Sequence, residues 1–160
     1  MTKTDRSDAQ ECNCLAIRQA ARHVTQFYDQ LLAPSGLRAT QYAILGRLRR
    51  EGPMTINALA AALVMDRTTL GRNILPLERD GLIEIGQGAS DRRRREVRLT
   101  EAGTARLAAA REGWAAAQER FDAVFGSARA AELRDLLRAV SDSDFAGAGT
   151  AGAAAAEKGG

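Results

Sequence analysis

Between Gly103 and Val124 the chain places Gly103, Leu107, Ala110, Trp114, Ala117, Phe121 and Val124 at spacings of 4, 3, 4, 3, 4 and 3. That period belongs to a helix packing lengthwise against another helix, and no strand can satisfy it. Large and small members alternate along the seam, so a partner helix can interdigitate closely. Thr100 stands where the N-cap of this long helix is needed. A chain committed to one long helix must build its remaining interior around it. The aromatic share is only 4% while the hydrophobic share is 45%, so that interior is made of Leu, Ile, Val and Ala. Such a composition favours further helices.

Other helices follow from the same periodicity. Residues 14–33 repeat Ile17, Ala20, Ala21, Val24, Phe27, Tyr28 and Leu31 at three and four, and Ala33-Pro34-Ser35-Gly36 stops them. A second helix is expected from Thr40 to Arg50, ended by Gly52-Pro53. Thr55 caps a short third with the stripe Ile56, Leu59, Ala60, Leu63. Asp66 caps a fourth, from about Arg67 to Asp80, with Leu70, Ile74 and Leu77 inward and Gly81 as its left-handed stop. A sixth, after the long one, spans Ala128 to Val140. Between the fourth and fifth, Leu82-Ile83-Glu84-Ile85 and Glu96-Val97-Arg98-Leu99 read as two short strands around a glycine-bearing, charged tip.

Charge is unevenly spread. Residues 38–98 carry twelve arginines against seven carboxylates, whereas 1–37 balance and 99–160 are slightly acidic. Of the 23 cationic residues only Lys3 and Lys158 are not arginine. Arginine's planar fork suits phosphates and guanine edges. A short helix, a tight turn, a second helix and a hairpin make a winged helix-turn-helix. Its exposed first turns carry Arg67, Thr68, Thr69, Arg72 and Asn73, side chains able to read base edges in a major groove. Arg92, Arg93, Arg94 and Arg95 form the hairpin tip, where a narrow minor groove attracts arginine. The helix N-terminus at Thr55 adds amide donors for phosphate. The expectation is a unit that binds double-stranded DNA. A winged module for protein or RNA is the rival reading.

Several classes are excluded or disfavoured. His23 is the single histidine, so no metal site is expected, and no cofactor. The chain has no G-x-S-x-G, P-loop, H-E-x-x-H or dinucleotide glycine turn, and an enzyme is not expected. No apolar run can span a bilayer, and Met1 to Asp8 lack a secretory core. A soluble, cytoplasmic protein without membrane partners is expected, in which Cys12 and Cys14 do not imply a disulfide framework.

Thr55-Ile56-Asn57-Ala58-Leu59-Ala60, Asp66-Arg67-Thr68-Thr69-Leu70, Leu77-Glu78-Arg79-Asp80-Gly81-Leu82-Ile83, Asp91-Arg92-Arg93 and Val97-Arg98-Leu99-Thr100-Glu101-Ala102-Gly103 occur in the order and spacing that resemble the MarR family of bacterial transcriptional regulators. The resemblance covers about residues 14–140. It implies a mainly α (α+β) fold: a winged helix-turn-helix lobe with a two-stranded wing, and a helical dimerisation lobe from the N- and C-terminal helices. The expected organisation is a mobile segment 1–13, dimerisation helices 14–37 and 100–140, a DNA-binding lobe 38–99, and a disordered Ala/Gly-rich tail 141–160. It further implies a homodimer, with Leu107, Ala110, Trp114, Ala117, Phe121 and Val124 at the interface. Arg93 would enter the minor groove, with Asp91 steadying the wing. The family reading is a repressor on a pseudopalindromic operator, released by a small aromatic acid or its thioester conjugate. Candidate ligand contacts are Arg18, Arg22, His23, Phe27, Tyr28, Tyr42 and Arg111. The alternative is a switch by oxidation of Cys12 and Cys14, which the family fold would place near the subunit interface. Two positions depart from the family pattern. Gly71 replaces a frequent Ser or Thr and costs about 1 kcal/mol of helix propensity. Pro76 removes a donor inside the same helix and should bend it.

Overall fold

A computed structural model describes residues 12–89 and 91–145. The helices are α1 (Asn13–Leu32), α2 (Ala39–Glu51), α3 (Ile56–Ala62), α4 (Arg67–Arg79), α5 (Glu101–Phe125) and α6 (Ser127–Asp142). A turn of 3-10 helix, Ala33–Ser35, follows α1. The strands are β1 (Met54–Thr55), β2 (Ile83–Gln87) and β3 (Arg95–Leu99). The order is that of a winged helix-turn-helix preceded and followed by helices. Among the described residues no helix is long and apolar enough to cross a membrane.

The sheet has one strand more than the two-stranded wing expected from the sequence. β2 and β3 pair antiparallel from Ile83↔Leu99 to Gln87↔Arg95, and β1 joins the other edge of β3 through Met54↔Val97 and Thr55↔Glu96. The strand order is β1-β3-β2. Two residues are too few for an alternation to be read in sequence. β1 exists because β3 offers it an open row of backbone donors and acceptors.

The chain divides into two compact units, one ending at Glu119 and the other beginning at Arg120. In the first, Leu32, Leu37, Ile44, Leu45, Leu48, Leu59, Leu70, Ile74, Leu77, Leu82, Ile83, Val97, Leu107 and Ala110 form one buried cluster. Each fully buried aliphatic side chain of this kind contributes about 1.5–3 kcal/mol. The turns that hold the elements together are specified locally. Asp29 of α1 accepts from the Ala39 N–H at 2.7 Å, and the Gln41 side chain accepts from Arg38 N–H at 3.0 Å, so the start of α2 is capped from both sides. Gly81 takes φ +70 after α4, and the N–H groups of Gly81 and Leu82 reach back to the carbonyls of Glu78 and Leu77. Thr100 donates its hydroxyl to the Gly81 carbonyl at 2.7 Å and accepts from Gly103 N–H at 3.0 Å. One residue thus ties the end of the wing to the stop of α4 and the start of α5. Helix α4 continues through Pro76 to Arg79.

In the second unit, Phe121 and Phe125 pack with ring centroids 5.5 Å apart, and the Arg129 guanidinium lies 4.4 Å over the Phe125 ring. Ala130 is its buried residue in α6.

The seam read in α5 is divided in its burial. Leu107, Ala110 and Ala117 are buried within the single chain, and Leu107 and Ala110 belong to its core. Trp114 is 36% exposed and Val124 is 82% exposed. Heptad spacing identifies a packed face but does not say whose residues it packs against. The segments 1–13 and 141–160 lie largely outside the described residues. Where they are described, Asn13 opens α1 and Ser141 and Asp142 close α6.

Candidate nucleic-acid interface and effector recess

Buried Leu70, Ile74 and Leu77 turn the opposite side of α4 outward. Arg67, Thr68, Thr69 and Arg72 are exposed on it and Asn73 is half-buried. Two of these side chains are already engaged. Asp66 caps the helix by accepting from Thr69 N–H at 2.8 Å, and Thr69 Oγ1 donates back to the same carboxylate at 2.7 Å. The Asn73 amide donates to the Thr69 carbonyl at 2.8 Å. Arg67, Thr68 and Arg72 are therefore the forward-facing groups, whereas Asn73 must exchange an internal bond to reach a base. Asp66 is fully exposed, and the Thr69 hydroxyl, followed by its N–H, holds the carboxyl below its ordinary pKa. Thr55 is half-buried, and its Oγ1 accepts from Ala58 N–H at 3.1 Å as the cap of α3.

At the wing tip Arg92, Arg93, Arg94 and Arg95 are all exposed. Asp91 shapes the tip: its carboxylate accepts from Arg93 N–H at 2.9 Å and stands 3.6 Å from Arg94 Nε. Gly88 N–H closes the loop on the Arg94 carbonyl at 2.8 Å. A Cβ at Gly88 would meet the Asp91 carbonyl at 2.8 Å, so the loop closes this tightly only around glycine. Arg98 braces the strands by donating to the Gln87 carbonyl at 2.7 Å.

A half-open recess of about 470 Å³ lies between α1, α2 and α5 and reaches the end of α3. Its aromatic wall is Tyr42 against Trp114, stacked at 5.9 Å with 16° between the rings. Tyr28 and Leu32 line it from α1, Leu107 from α5 and Leu63 from just past α3. Its cationic edge comes from Arg47 and Arg50 of α2. Burial pushes the Tyr42 phenol up, and the nearby Arg111 charge opposes this in part.

Of the ligand contacts expected from sequence, the structure brings only Tyr28 and Tyr42 to the recess wall. Phe27 meets Tyr28 edge-on at 5.5 Å instead. Arg18, Arg22 and His23 sit on the exposed face of α1. Sequence reasoning missed Arg47 and Arg50 and assigned Trp114 to the seam. A signal was present in the second stripe of α2: Ala39, Tyr42, Ala43, Gly46, Arg47 and Arg50 recur at three and four, opposite Ile44, Leu45 and Leu48. Small residues on such a stripe leave room. Cys12 and Cys14 are both exposed at the start of α1, where Cys12 Sγ accepts from Leu15 N–H at 3.4 Å.

Residues 37–94 match the model of the MarR family. The chain is 30% identical over 131 residues to the HTH-type transcriptional repressor NicR of Pseudomonas putida, covering 80% of this chain and 81% of that one. It is 35% identical over 85 residues to the HTH-type transcriptional regulator YwoH of Bacillus subtilis, a match covering 53% of this chain and spanning 61% of that protein's length. Among solved structures, Bordetella bronchiseptica BpsR, described with regulation of its DNA binding by 6-hydroxynicotinic acid, superposes with a TM-score of 0.74 at 25% identity, covering 84% of this chain and 96% of that one. Family model, relatives and fold agree: the chain belongs to the MarR family of transcriptional regulators.

Proposed function

We propose that this protein is a homodimeric repressor that binds a pseudopalindromic DNA operator and is released by a small aromatic acid or its thioester conjugate. The observation that carries this reading is the recess itself. It joins a stacked Tyr42–Trp114 wall to an arginine edge, and it touches Leu63, at the turn leading into α4. An aromatic face and a cationic rim suit an aromatic carboxylate. NicR is named a repressor and BpsR responds to an aromatic acid, which supports the same assignment here.

In the bound state, residues 38–99 act as the DNA-binding lobe. Arg67, Thr68 and Arg72 face base edges, Arg93 enters the minor groove, and the remaining wing arginines hold phosphates. The second copy supplies the second half-site about one helical turn away. Apolar residues that the protomer leaves exposed, Leu15 and Ile17 on α1 and Leu136, Leu137 and Val140 on α6, pair with that copy. Because half-site spacing is fixed, a ligand releases DNA by favouring another spacing. A 100-fold release needs about 2.7 kcal/mol of differential affinity.

The test is a mobility-shift titration on the duplex lying 5′ of the protein's own coding sequence, repeated with a panel of aromatic acids. Retarded DNA freed by one of the acids is expected. A protein that ignores this duplex, or prefers RNA, overturns the reading. The Cys12→Ser, Cys14→Ser variant run with peroxide separates the oxidative rival: if no acid acts and only this variant has lost a peroxide response, the ligand assignment falls.

A further inference from the structure

Arg47 links the recess to the helix-turn-helix by contacts that its lining role does not require. It stands on the recess wall in α2, half-buried, with Nη1 paired to Glu51 at 3.3 Å. Its Nη2 donates 3.2 Å away to the carbonyl of Ala62, the last residue of α3. A helix leaves its final carbonyls without intrahelical partners. Here those of Leu59, Ala60 and Ala61 are taken by the N–H groups of Leu63, Met65 and Val64. The Ala62 carbonyl is held by Arg47.

The residues that follow form the turn into α4. Leu63 lines the recess, and Val64 adopts φ +53, the one non-glycine residue with positive φ among those described. A β-branched side chain in that region is a true outlier, disfavoured about tenfold. Val64 is 77% exposed, so its side chain is not trapped there by burial. Strained backbone persists where neighbouring contacts over-determine it. The Met65 and Val64 N–H groups close this turn on the Ala60 and Ala61 carbonyls, the left-handed stop of a helix end, and the further contact on the recess side is the Arg47 clamp on the Ala62 carbonyl. The Arg47 Nε is buried and meets no acceptor of the protein itself.

We propose that Arg47 is the positioning residue that converts occupancy of the recess into movement of α4, by holding the strained Ala62–Val64 turn until an anionic occupant draws the guanidinium away. A carboxylate offers arginine a charge-assisted pair, stronger than the bond to a neutral carbonyl. Once Ala62 is released, only the two backbone bonds of the helix stop oppose the relaxation of Val64 toward an ordinary φ, and α4 leaves its DNA-competent setting. This deepens the reading of the recess as the effector site and rests on it.

The experiment compares Arg47→Met, Val64→Gly and the double variant by fluorescence anisotropy on the duplex 5′ of the coding sequence. Thermal melts establish that each is folded. Glycine tolerates φ +53 without strain, so the turn then keeps its setting with or without the clamp. Arg47→Met is expected to weaken DNA binding about tenfold with no ligand present, matching the strain it releases. Val64→Gly should bind DNA within about twofold of the unchanged protein and should restore the double variant. A loss of charge or a general packing defect would not be repaired by a glycine in the turn.

With 6-hydroxynicotinate and with benzoate as probes, Val64→Gly should keep quenching of Trp114 yet no longer release DNA. Unchanged DNA affinity in Arg47→Met, or a defect that Val64→Gly fails to relieve, overturns the coupling. Absence of Trp114 quenching by either acid in the unchanged protein removes the effector reading and the ligand step with it. The ligand-free suppression pattern decides the Arg47–Val64 coupling separately.

Discussion

Gly113 of α5 lies directly against the backbone carbonyl of Leu31 in α1, so closely that a Cβ at this position would overlap the oxygen. The obstacle is main chain, which cannot rotate aside as a side-chain terminus would. Gly103, near the start of the same helix, meets the Leu82 carbonyl in the same way. The helix that organises the first unit is therefore set in place at two glycines.

Gly113→Ala and Gly103→Ala should each destabilise the fold by about 1–3 kcal/mol, the cost of overpacking. Gly71 is the control: a methyl group there meets nothing within 4 Å, and Gly71→Ala should stabilise α4 by up to about 1 kcal/mol. Urea denaturation of the three variants checks the order. A Gly113→Ala protein as stable as the unchanged one would show that α5 can shift off α1 freely.

Gly46 lines the recess, and its Cβ direction is open. Gly46→Phe should fill that space and abolish the response to aromatic acids while leaving DNA affinity intact. Anisotropy titrations with and without the acid measure both quantities. Gly46→Ala, which adds only a methyl group, should retain the response.

Acid sensitivity of the α4 cap follows from Asp66. Its pKa is lowered in the folded protein, so its contribution is fully present above the ordinary carboxylate value, near pH 4, and disappears as pH falls through the lowered one. Melting temperatures from pH 6 down to pH 2.5 should fall less steeply for Asp66→Asn than for the unchanged chain. At the other end of the scale, burial raises the Tyr42 phenol and Arg111 counteracts it, so Arg111→Ala should move tyrosinate absorbance to higher pH.

Wing and helix should fail differently on DNA. Arg93→Ala should weaken binding to all sequences alike and make the salt slope shallower by about one unit. Arg72→Ala should relax preference at particular base pairs by about 1–3 kcal/mol. Asn73→Ala should fall at the low end of that range, because the amide first surrenders its 2.8 Å bond to Thr69. Footprints on single-base operator variants at two salt concentrations discriminate these outcomes.

Leu136→Glu and Val140→Glu each put a charge on an apolar position that the protomer leaves exposed. Sedimentation at micromolar concentration should show a monomer where the unchanged chain sediments as the proposed dimer, with loss of operator affinity and retention of helical content. A variant that stays dimeric would move the interface away from α6.

Local chemistry made much of this protein legible from its residues alone. The caps Thr55 and Asp66, the left-handed Gly81 and the repeated Leu and Ile stripes each act within a few residues, so the sequence alone places the helices and the β2–β3 hairpin. The excess arginine of residues 38–98 marked the same segment as the nucleic-acid candidate. Only tertiary structure decided the rest, because it turns on contacts between residues distant in the chain. β1 is two residues long and exists by pairing with β3, more than forty positions away. Periodicity showed that α5 has a packed face, but whether Leu107 meets its own core or a second chain is a question of docking. Trp114 of the seam also stacks on Tyr42, and the cationic edge of the recess is Arg47 and Arg50, while Arg18 and Arg22 lie exposed on α1. A helical stripe identifies which residues share a face, while the neighbour that faces them is chosen by the packing of the whole unit.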